Sequence, residues 1–118
     1  MGSERRKHKR IQVDVPARIS LGSTVFGARI TDISIGGAQI EGVFTAAIGD
    51  TLFILFDPTW PLGGFKGKIT WKVGDANYCQ CGIQFLGMQE GQKVLTVDRL
   101  IHLDSKKKQT GGEEGSSP

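Results

Sequence analysis

Six short runs of residues with the length and patterning of β-strands limit the fold of this chain more than any other feature. In the clearest run, at 65–73, apolar residues and a glycine alternate with lysines and a threonine. This period of two residues is typical of a strand with one buried face and one face in water. The other runs lie at 11–20, 25–31, 38–42, 51–56 and 79–85. The chain is therefore predicted to be mainly β.

The strand-like runs follow one another at intervals of about ten residues, which is the spacing of small all-β domains. Turn residues such as Gly22 and Gly74 separate them. Closing an antiparallel sheet into a barrel removes the unpaired edges that an open sheet exposes. We therefore expect a six-stranded antiparallel β-barrel. Pro16, on the polar side of the first run, indicates an edge position or a bulge.

The pattern changes period in residues 92–103, where apolar residues recur at helical spacing. We expect one C-terminal α-helix that packs across an open end of the barrel. The face expected to be buried comprises Val94, Val97, Leu100 and Ile101. The residues expected to point away from the barrel are Lys93, Thr96 and Arg99.

The length of 118 residues is enough for a single domain with one modest core. Its predicted organisation is a flexible basic segment at 1–10, the barrel and helix at 11–104, and a disordered polar tail at 105–118. The longest apolar run, at 52–56, is far too short to cross a membrane. The basic segment is not followed by the apolar run that a signal peptide requires. We expect a cytoplasmic protein with no membrane insertion.

The residues that carry catalysis or bind metals do not form a recognisable group in the sequence. Cys79 and Cys81 are one residue apart, which strains a mutual disulfide and supplies half of a zinc site, so they are expected to be core residues. Of the two histidines, His8 lies in the basic segment and His102 in the predicted helix. No serine or cysteine beside a motif suggests an activated nucleophile. The sequence therefore favours a binding module with no catalytic residue, metal or cofactor.

Positive charge is concentrated in the segment Arg5-Arg6-Lys7-His8-Lys9-Arg10, which holds five of the 15 lysines and arginines. A guanidinium group can bind two phosphate oxygens, pair with guanine O6 and N7, or stack on a base. The alternative is a solvated basic tail with weak, salt-sensitive affinity for any polyanion.

A second motif, Asp32-Ile33-Ser34-Ile35-Gly36-Gly37, is expected to form a turn between two strands. Asp32 can accept hydrogen bonds from N1–H and N2–H of a guanine, and Ser34 can donate or accept one. Gly36 and Gly37 lack side chains, so a planar ligand can come close. The alternative is an ordinary turn in which Asp32 caps its own backbone.

Taken in order, the two motifs match RxxxR, at Arg6 and Arg10, and DxSxxG, at 32–37, and the chain resembles the PilZ domain family. The later segments 69–71 and 81–85 are also similar to strands of that family, including its Gly-x-x-Phe ending, so the resemblance spans roughly residues 5–103. It implies a receptor for the bacterial second messenger cyclic di-GMP. By this resemblance Arg6 and Arg10 would hold phosphates and guanine Hoogsteen edges. Asp32 and Ser34 would read a guanine from the other side, and Gly36 and Gly37 would let it approach.

Three further positions have two interpretations each. Arg5 is either a third ligand-binding arginine, as in relatives that bind two stacked ligands, or a solvated charge. Trp71 is either a stacking partner of the ligand or, as its place on the apolar face of a strand favours, a core residue. The lysines of the same strand are expected to form a solubilising polar face, made of Lys66, Lys68 and Lys72.

The expected mechanism is that ligand binding orders residues 1–10 across the barrel and changes a surface read by a partner protein or tethered domain. Two other functions are compatible with the pattern. One is a nucleotide-independent protein-interaction adaptor of the same fold. The other is a nonspecific nucleic-acid binder, although no feature indicates a specific nucleic-acid partner.

Overall fold

The computed structural model describes residues 9–59 and 63–104, and within them the chain folds as a six-stranded antiparallel barrel followed by a helix. The elements are β1 (Ile11–Leu21), β2 (Thr24–Ile33), β3 (Gly37–Gly42), β4 (Thr51–Leu55), β5 (Gly64–Asp75), β6 (Tyr78–Leu86) and α1 (Glu90–Leu103). The strand order β1-β2-β3-β6-β5-β4 is closed by pairing between β4 and β1. The predicted fold class is therefore confirmed. The predictions of a flexible segment and a disordered tail fall mainly on residues 1–8 and 105–118, outside the described residues.

The barrel interior is filled by the side chains of every second strand residue, which point inward. Isoleucines from five strands are completely buried there, namely Ile19, Ile30, Ile33, Ile40, Ile54 and Ile69. Cys79 and Cys81 are buried among them and are unpaired, as the sequence predicted. Burial, with a smaller effect of the neighbouring Cys79, raises the pKa of the Cys81 thiol to about 11. This thiol is therefore protonated at neutral pH and acts as a small apolar core group.

Pro16 precedes the part of β1 that pairs with β4. That pairing covers only Arg18 to Ser20. Proline has no backbone N–H, but at position 16 no hydrogen bond to β4 is lost. The irregularity in the pairing of β1 with β2 lies instead between Gln12 and Val15. Of the two predicted explanations for Pro16, the edge-like position is the one observed.

Two bulges on other strands reverse the alternation of side chains. On β2, Ile30 pairs with Ile40 but Asp32 pairs with the adjacent Gln39, so Thr31 is an extra residue. On β5, Thr70 is extra in the same way, because its two neighbours pair with consecutive residues of β6. A bulge of one residue turns the side chains that follow it to the other face of the sheet. Both bulges therefore change which residues face solvent.

Helix α1 packs across the end of the barrel at which β1 begins, as predicted. Leu100 belongs to the barrel core, and the backbone N–H of Asp14 donates to Oδ1 of Asp104 just after the helix, at 2.8 Å. The predicted buried face was partly wrong: Thr96 is fully buried, whereas Val94 is 53% exposed. Thr96 can be buried because its hydroxyl donates to the Gln92 carbonyl within the helix, at 2.8 Å, which satisfies its polar group.

The helix is also held by an ion pair between Arg99 and Asp57, which follows β4. Two nitrogens of the guanidinium lie 2.6 and 2.7 Å from Oδ2 of Asp57. The hydrogen bond from the Thr59 hydroxyl, together with Arg99, lowers the pKa of the Asp57 carboxyl against the opposing effect of its burial. Asp57 is therefore charged at neutral pH and ties the helix to the barrel. None of the helices in the described part of the chain has the length and apolar character needed to span a bilayer.

Candidate functional site

The connection between β2 and β3 is a tight turn organised by Ser34. The backbone N–H of Ser34 donates to the Gly37 carbonyl at 2.8 Å, and the N–H of Gly36 donates to the Ser34 hydroxyl at 3.2 Å. The turn is thus capped by Ser34, whereas Asp32, predicted to belong to the turn, lies on β2. Asp32 is therefore left to interact with groups outside the turn.

The two glycines of the turn fit closely against β6. The Gly36 carbonyl accepts a hydrogen bond from the backbone N–H of Phe85 at 3.2 Å. A Cβ atom on Gly37 would lie 1.9 Å from the carbonyl oxygen of Ile83, far inside van der Waals contact. Packing between strands is thus a sufficient reason for a glycine at position 37. The predicted reason, approach of a ligand, remains a prediction for both positions.

The structure brings together two of the predicted site residues that are 22 positions apart in the sequence. Nε of Arg10 donates to Oδ2 of Asp32 at 3.2 Å, with the arginine side chain 47% exposed and the aspartate 17% exposed. The other carboxylate oxygen, Oδ1, is buried and is the one buried side-chain polar atom of the described residues without a hydrogen-bond partner. Such an atom is costly in a folded protein and often marks a binding site. Arg5 and Arg6 lie outside the described residues.

Asp32 lines an open groove of about 400 Å³ on the outer surface of β1, β2 and β3. Arg29 and Asp14, which form an ion pair, also line this groove, as does Glu41. Neither sequence motif contains these three residues or the neighbouring Gln12, Thr31 and Gln39, which also line the groove. Alternation placed Gln12 and Asp14 on a polar face, but only the pairing of the strands shows that these residues surround Asp32.

A single row of outward-facing positions that includes Asp32 runs across five neighbouring strands. The strand registers align Gln12 of β1, Asp32 of β2, Gln39 of β3, Gly82 of β6 and Trp71 of β5. We call these five positions the outer row. The two bulge residues each send a hydroxyl hydrogen bond to a carbonyl of this row, Thr31 to Gln39 at 3.5 Å and Thr70 to Gly82 at 3.3 Å.

Trp71 is not a core residue, contrary to the interpretation that its strand pattern favoured. The bulge at Thr70 turns it outward, and its side chain is 38% exposed. The same bulge turns Lys72 the other way, opposite the buried Cys81, where its Nζ donates to the Ala46 carbonyl at 2.6 Å. The prediction of one polar face shared by the three lysines therefore holds for Lys66 and Lys68 but not for Lys72.

This surface carries a carboxylate, the guanidinium of a long arginine side chain, a turn capped by a serine hydroxyl and an exposed indole. Within residues 9–59 and 63–104, no group of three or more His, Cys, Asp or Glu side chains could hold a metal ion. The groove itself carries the acids Asp14, Asp32 and Glu41 against the single cation Arg29, with Arg10 at its rim. The groove therefore has three carboxylates and one guanidinium of its own.

Comparison with solved structures finds several with the same fold. The structure is similar to the PilZ domain with c-di-GMP of YcgR from Escherichia coli, with 17% identity and a TM-score of 0.64 over 96% of this chain and 98% of that chain. It is also similar to PlzA of Borreliella burgdorferi in complex with c-di-GMP, with 20% identity and a TM-score of 0.59 over 84% of this chain and 42% of that one.

A third similar structure is the inhibitor of motility MotI/DgrA of Bacillus subtilis, with 12% identity and a TM-score of 0.63 over 82% of this chain. The match covers 50% of that protein, so this chain spans about half of its length. At these identities the likeness shows the fold alone. No curated protein sequence matches the chain. The family model of the PilZ domain, however, matches residues 4–102, and the chain therefore belongs to the PilZ domain family.

Proposed function

We propose that this protein is a receptor for cyclic di-GMP, and that the ligand binds on the outer surface of the barrel along the outer row. The observation that carries the proposal is the carboxylate of Asp32, with one oxygen paired to Arg10 and the other buried without a partner. A ligand that donates two adjacent N–H groups would satisfy this carboxylate. Guanine offers such a pair at N1 and N2 of its Watson–Crick edge.

Membership of the PilZ family supports the same ligand, because cyclic di-GMP is the ligand of structures in the family such as those of YcgR and PlzA. In this proposal Asp32 and Ser34 read one guanine, while Gly36 and Gly37 allow its approach. Trp71 stacks on a base farther along the outer row, since its indole is exposed there. The protein acts as a receptor and carries out no reaction.

The arginine segment supplies the charge that the groove lacks. Cyclic di-GMP carries two phosphates, and the groove has more carboxylates than cations. Arg6 and Arg10 therefore hold the phosphates and the Hoogsteen edges of the guanines, a geometry for which guanidinium groups are suited. Arg5 either adds a third contact, allowing two stacked ligands, or remains a solvated charge. The measured stoichiometry decides between these two.

Binding transmits a signal by ordering the N-terminal segment over the barrel. Arg10 is the described end of that segment, and its contact with Asp32 already lies at the rim of the groove. A partner protein or tethered domain then meets a different surface with and without ligand. Backbone relaxation measurements test this step, and an N-terminal segment equally rigid in both states contradicts it.

Calorimetric titration with cyclic di-GMP tests the proposal itself. From two arginine contacts and Asp32 we expect a dissociation constant near micromolar or tighter, which corresponds to a binding free energy of about −8 kcal/mol. Arg10→Ala and Asp32→Ala should each weaken binding by roughly 1–3 kcal/mol. Arg18→Ala, which removes an exposed arginine of β1 outside the groove, is the matched control and should leave the affinity unchanged.

The other two functions predict different titrations. An adaptor that does not depend on nucleotide shows no heat of binding with the wild-type protein. If the protein is a nonspecific nucleic-acid binder, single-stranded DNA displaces cyclic di-GMP at physiological salt, because the two ligands then compete only for positive charge. In that case Asp32→Ala leaves the affinity unchanged or raises it, since the substitution removes a negative charge.

A further inference from the structure

The indole of Trp71 lies directly over Gly82 on the outer surface of β6. A Cβ atom built on Gly82 would lie 1.9 Å from Nε1 of the indole, 2.4 Å from Cε2 and 2.5 Å from Cδ1. The five-membered ring of Trp71 therefore occupies the space that the side chain of any other residue at position 82 would fill. This contact joins the last two positions of the outer row.

The backbone sets up this contact from both sides. The bulge at Thr70 turns Trp71 outward and places it opposite Gly82. The hydroxyl of Thr70 donates to the Gly82 carbonyl at 3.3 Å, so the bulge is tied to the same residue that the indole covers. Bulges commonly serve to re-aim a side chain near a functional site.

The position of the ring matters because of its distance from Asp32. Gly82 and Asp32 are separated by Gln39 alone in the outer row, so they are two strand spacings apart, about 10 Å. An indole held over β6 is therefore one strand closer to Asp32 than the Trp71 backbone is. If the indole were displaced from Gly82, it would no longer be held over β6 at this distance from Asp32.

A structural role accounts for only part of this arrangement. An aromatic side chain that covers a strand glycine compensates in part for the side chain that the glycine lacks. Such cover does not require the ring to remain in solvent, and here Trp71 is 38% exposed, although tryptophan has a large apolar surface to bury. A base stacked on the exposed part of the indole would bury that surface.

We propose that Gly82 is a positioning residue of the ligand site: its missing side chain lets the Trp71 indole lie over β6, where the ring stacks on the base that Asp32 does not read. This inference rests on the proposed function and assigns a part of the site that neither sequence motif contains. It requires that the two halves of the site, at Asp32 and at Trp71, contact different bases of one ligand.

The test is the affinity of Gly82→Ala for cyclic di-GMP. The added methyl group must displace the indole, so we expect the dissociation constant to rise about tenfold or more, within the range of one lost base–aromatic stack. Gly27→Ala is the matched control, because Gly27 also lies in a strand and an added Cβ there meets nothing within 4 Å. Its affinity should equal that of the wild type.

A double-mutant cycle separates positioning from a general effect on the barrel. In a Trp71→Ala background the clash is absent, so adding Gly82→Ala should change the affinity no further. An equal loss in both backgrounds, or an unchanged affinity for Gly82→Ala alone, overturns the inference. If the wild type fails to bind at all, the proposed function falls as well. If Asp32→Ala weakens binding and Gly82→Ala does not, the proposed function stands and only the role of Gly82 is overturned.

A spectroscopic measurement covers the case in which Gly82→Ala does not fold. The chain has 2 tryptophans, so Trp60→Phe leaves Trp71 as the only one. Saturating cyclic di-GMP should quench and shift the fluorescence of Trp71 in this variant if a base stacks on the ring. Fluorescence that does not respond to a ligand shown to bind by calorimetry overturns the inference without the glycine substitution.

Discussion

Replacing Asp32 with alanine is expected to stabilise the free protein and weaken its binding of cyclic di-GMP. In the free protein Oδ1 of Asp32 is buried without a partner, and a buried unpaired acceptor costs about 1–3 kcal/mol. The ion pair with Arg10 offsets little of this cost. The Arg10 side chain is 47% exposed, and surface ion pairs contribute about 0–1 kcal/mol. Alanine and aspartate are both depleted in strands, so the difference in β-propensity is small.

The net gain in the free energy of unfolding is therefore about 1 kcal/mol, which corresponds to a rise in Tm of about 4–8 °C for a domain of this size. The same substitution removes the acceptor for two guanine N–H groups, so the dissociation constant should rise by roughly 5- to 150-fold, or about 1–3 kcal/mol. Thermal denaturation and calorimetric titration of one preparation measure both effects.

Asp98→Ala is the control for this pair of measurements, because Asp98 is an exposed aspartate on α1. It should change the free energy of unfolding by no more than about 0.5 kcal/mol and leave the affinity unchanged. Opposite signs for stability and affinity are the signature of a group kept for binding at a cost to folding. A lower Tm for Asp32→Ala, or an unchanged affinity, would refute the reasoning.

Three further predictions concern the fold. Gly37→Ala should lower the free energy of unfolding in urea by about 1–3 kcal/mol, because its Cβ would overlap a carbonyl of β6, and a neutral result would contradict the close approach of the strands. Leu100→Ala should cost about 2–5 kcal/mol, whereas Val94→Ala should cost less than about 0.5 kcal/mol, and similar costs for the two would support the helix face expected from the sequence, on which both are buried. The pKa of Asp57 is lowered on folding from 3.8, so the unfolded state binds more protons there and stability should fall as the pH drops below about 4. Tm measured from pH 7 to pH 3 should fall less steeply for Asp57→Asn, and an identical slope would contradict the role of its ion pair.

The parts of the fold that depend on local pattern were predictable. Alternation with a period of two, together with apolar runs of strand length, identified all six strands and several residues that fill the barrel, such as Ile19 and Ile40. The helix was predicted from its changed period, but its rotation was not, because the ion pair of Arg99 with Asp57 joins residues 42 positions apart. Intrahelical hydrogen bonding of Thr96 then made a polar residue acceptable in the core. Neither effect has a signal in the helix sequence alone.

The candidate site was predicted to a similar extent. The motifs identified Arg10, Asp32 and Ser34, and the structure places the first two in contact, with Ser34 in the adjoining turn. They did not identify the groove residues Arg29 and Asp14. Asp14 becomes a neighbour of Asp32 and Arg29 only through the pairing of β1 with β2. Composition and spacing carry no information on which polar faces are adjacent.

The sequence by itself determined the alternation, the turns and the order of the chemical groups, and therefore the barrel and its family. Tertiary structure decided which side chains face outward together. The bulges at Thr31 and Thr70 each add one residue to a strand, and one residue is enough to reverse a pattern with a period of two. Asp32 and Trp71 consequently lie on the outer row instead of pointing into the core. Strand register, a property of pairs of strands, aligned them across β3 and β6.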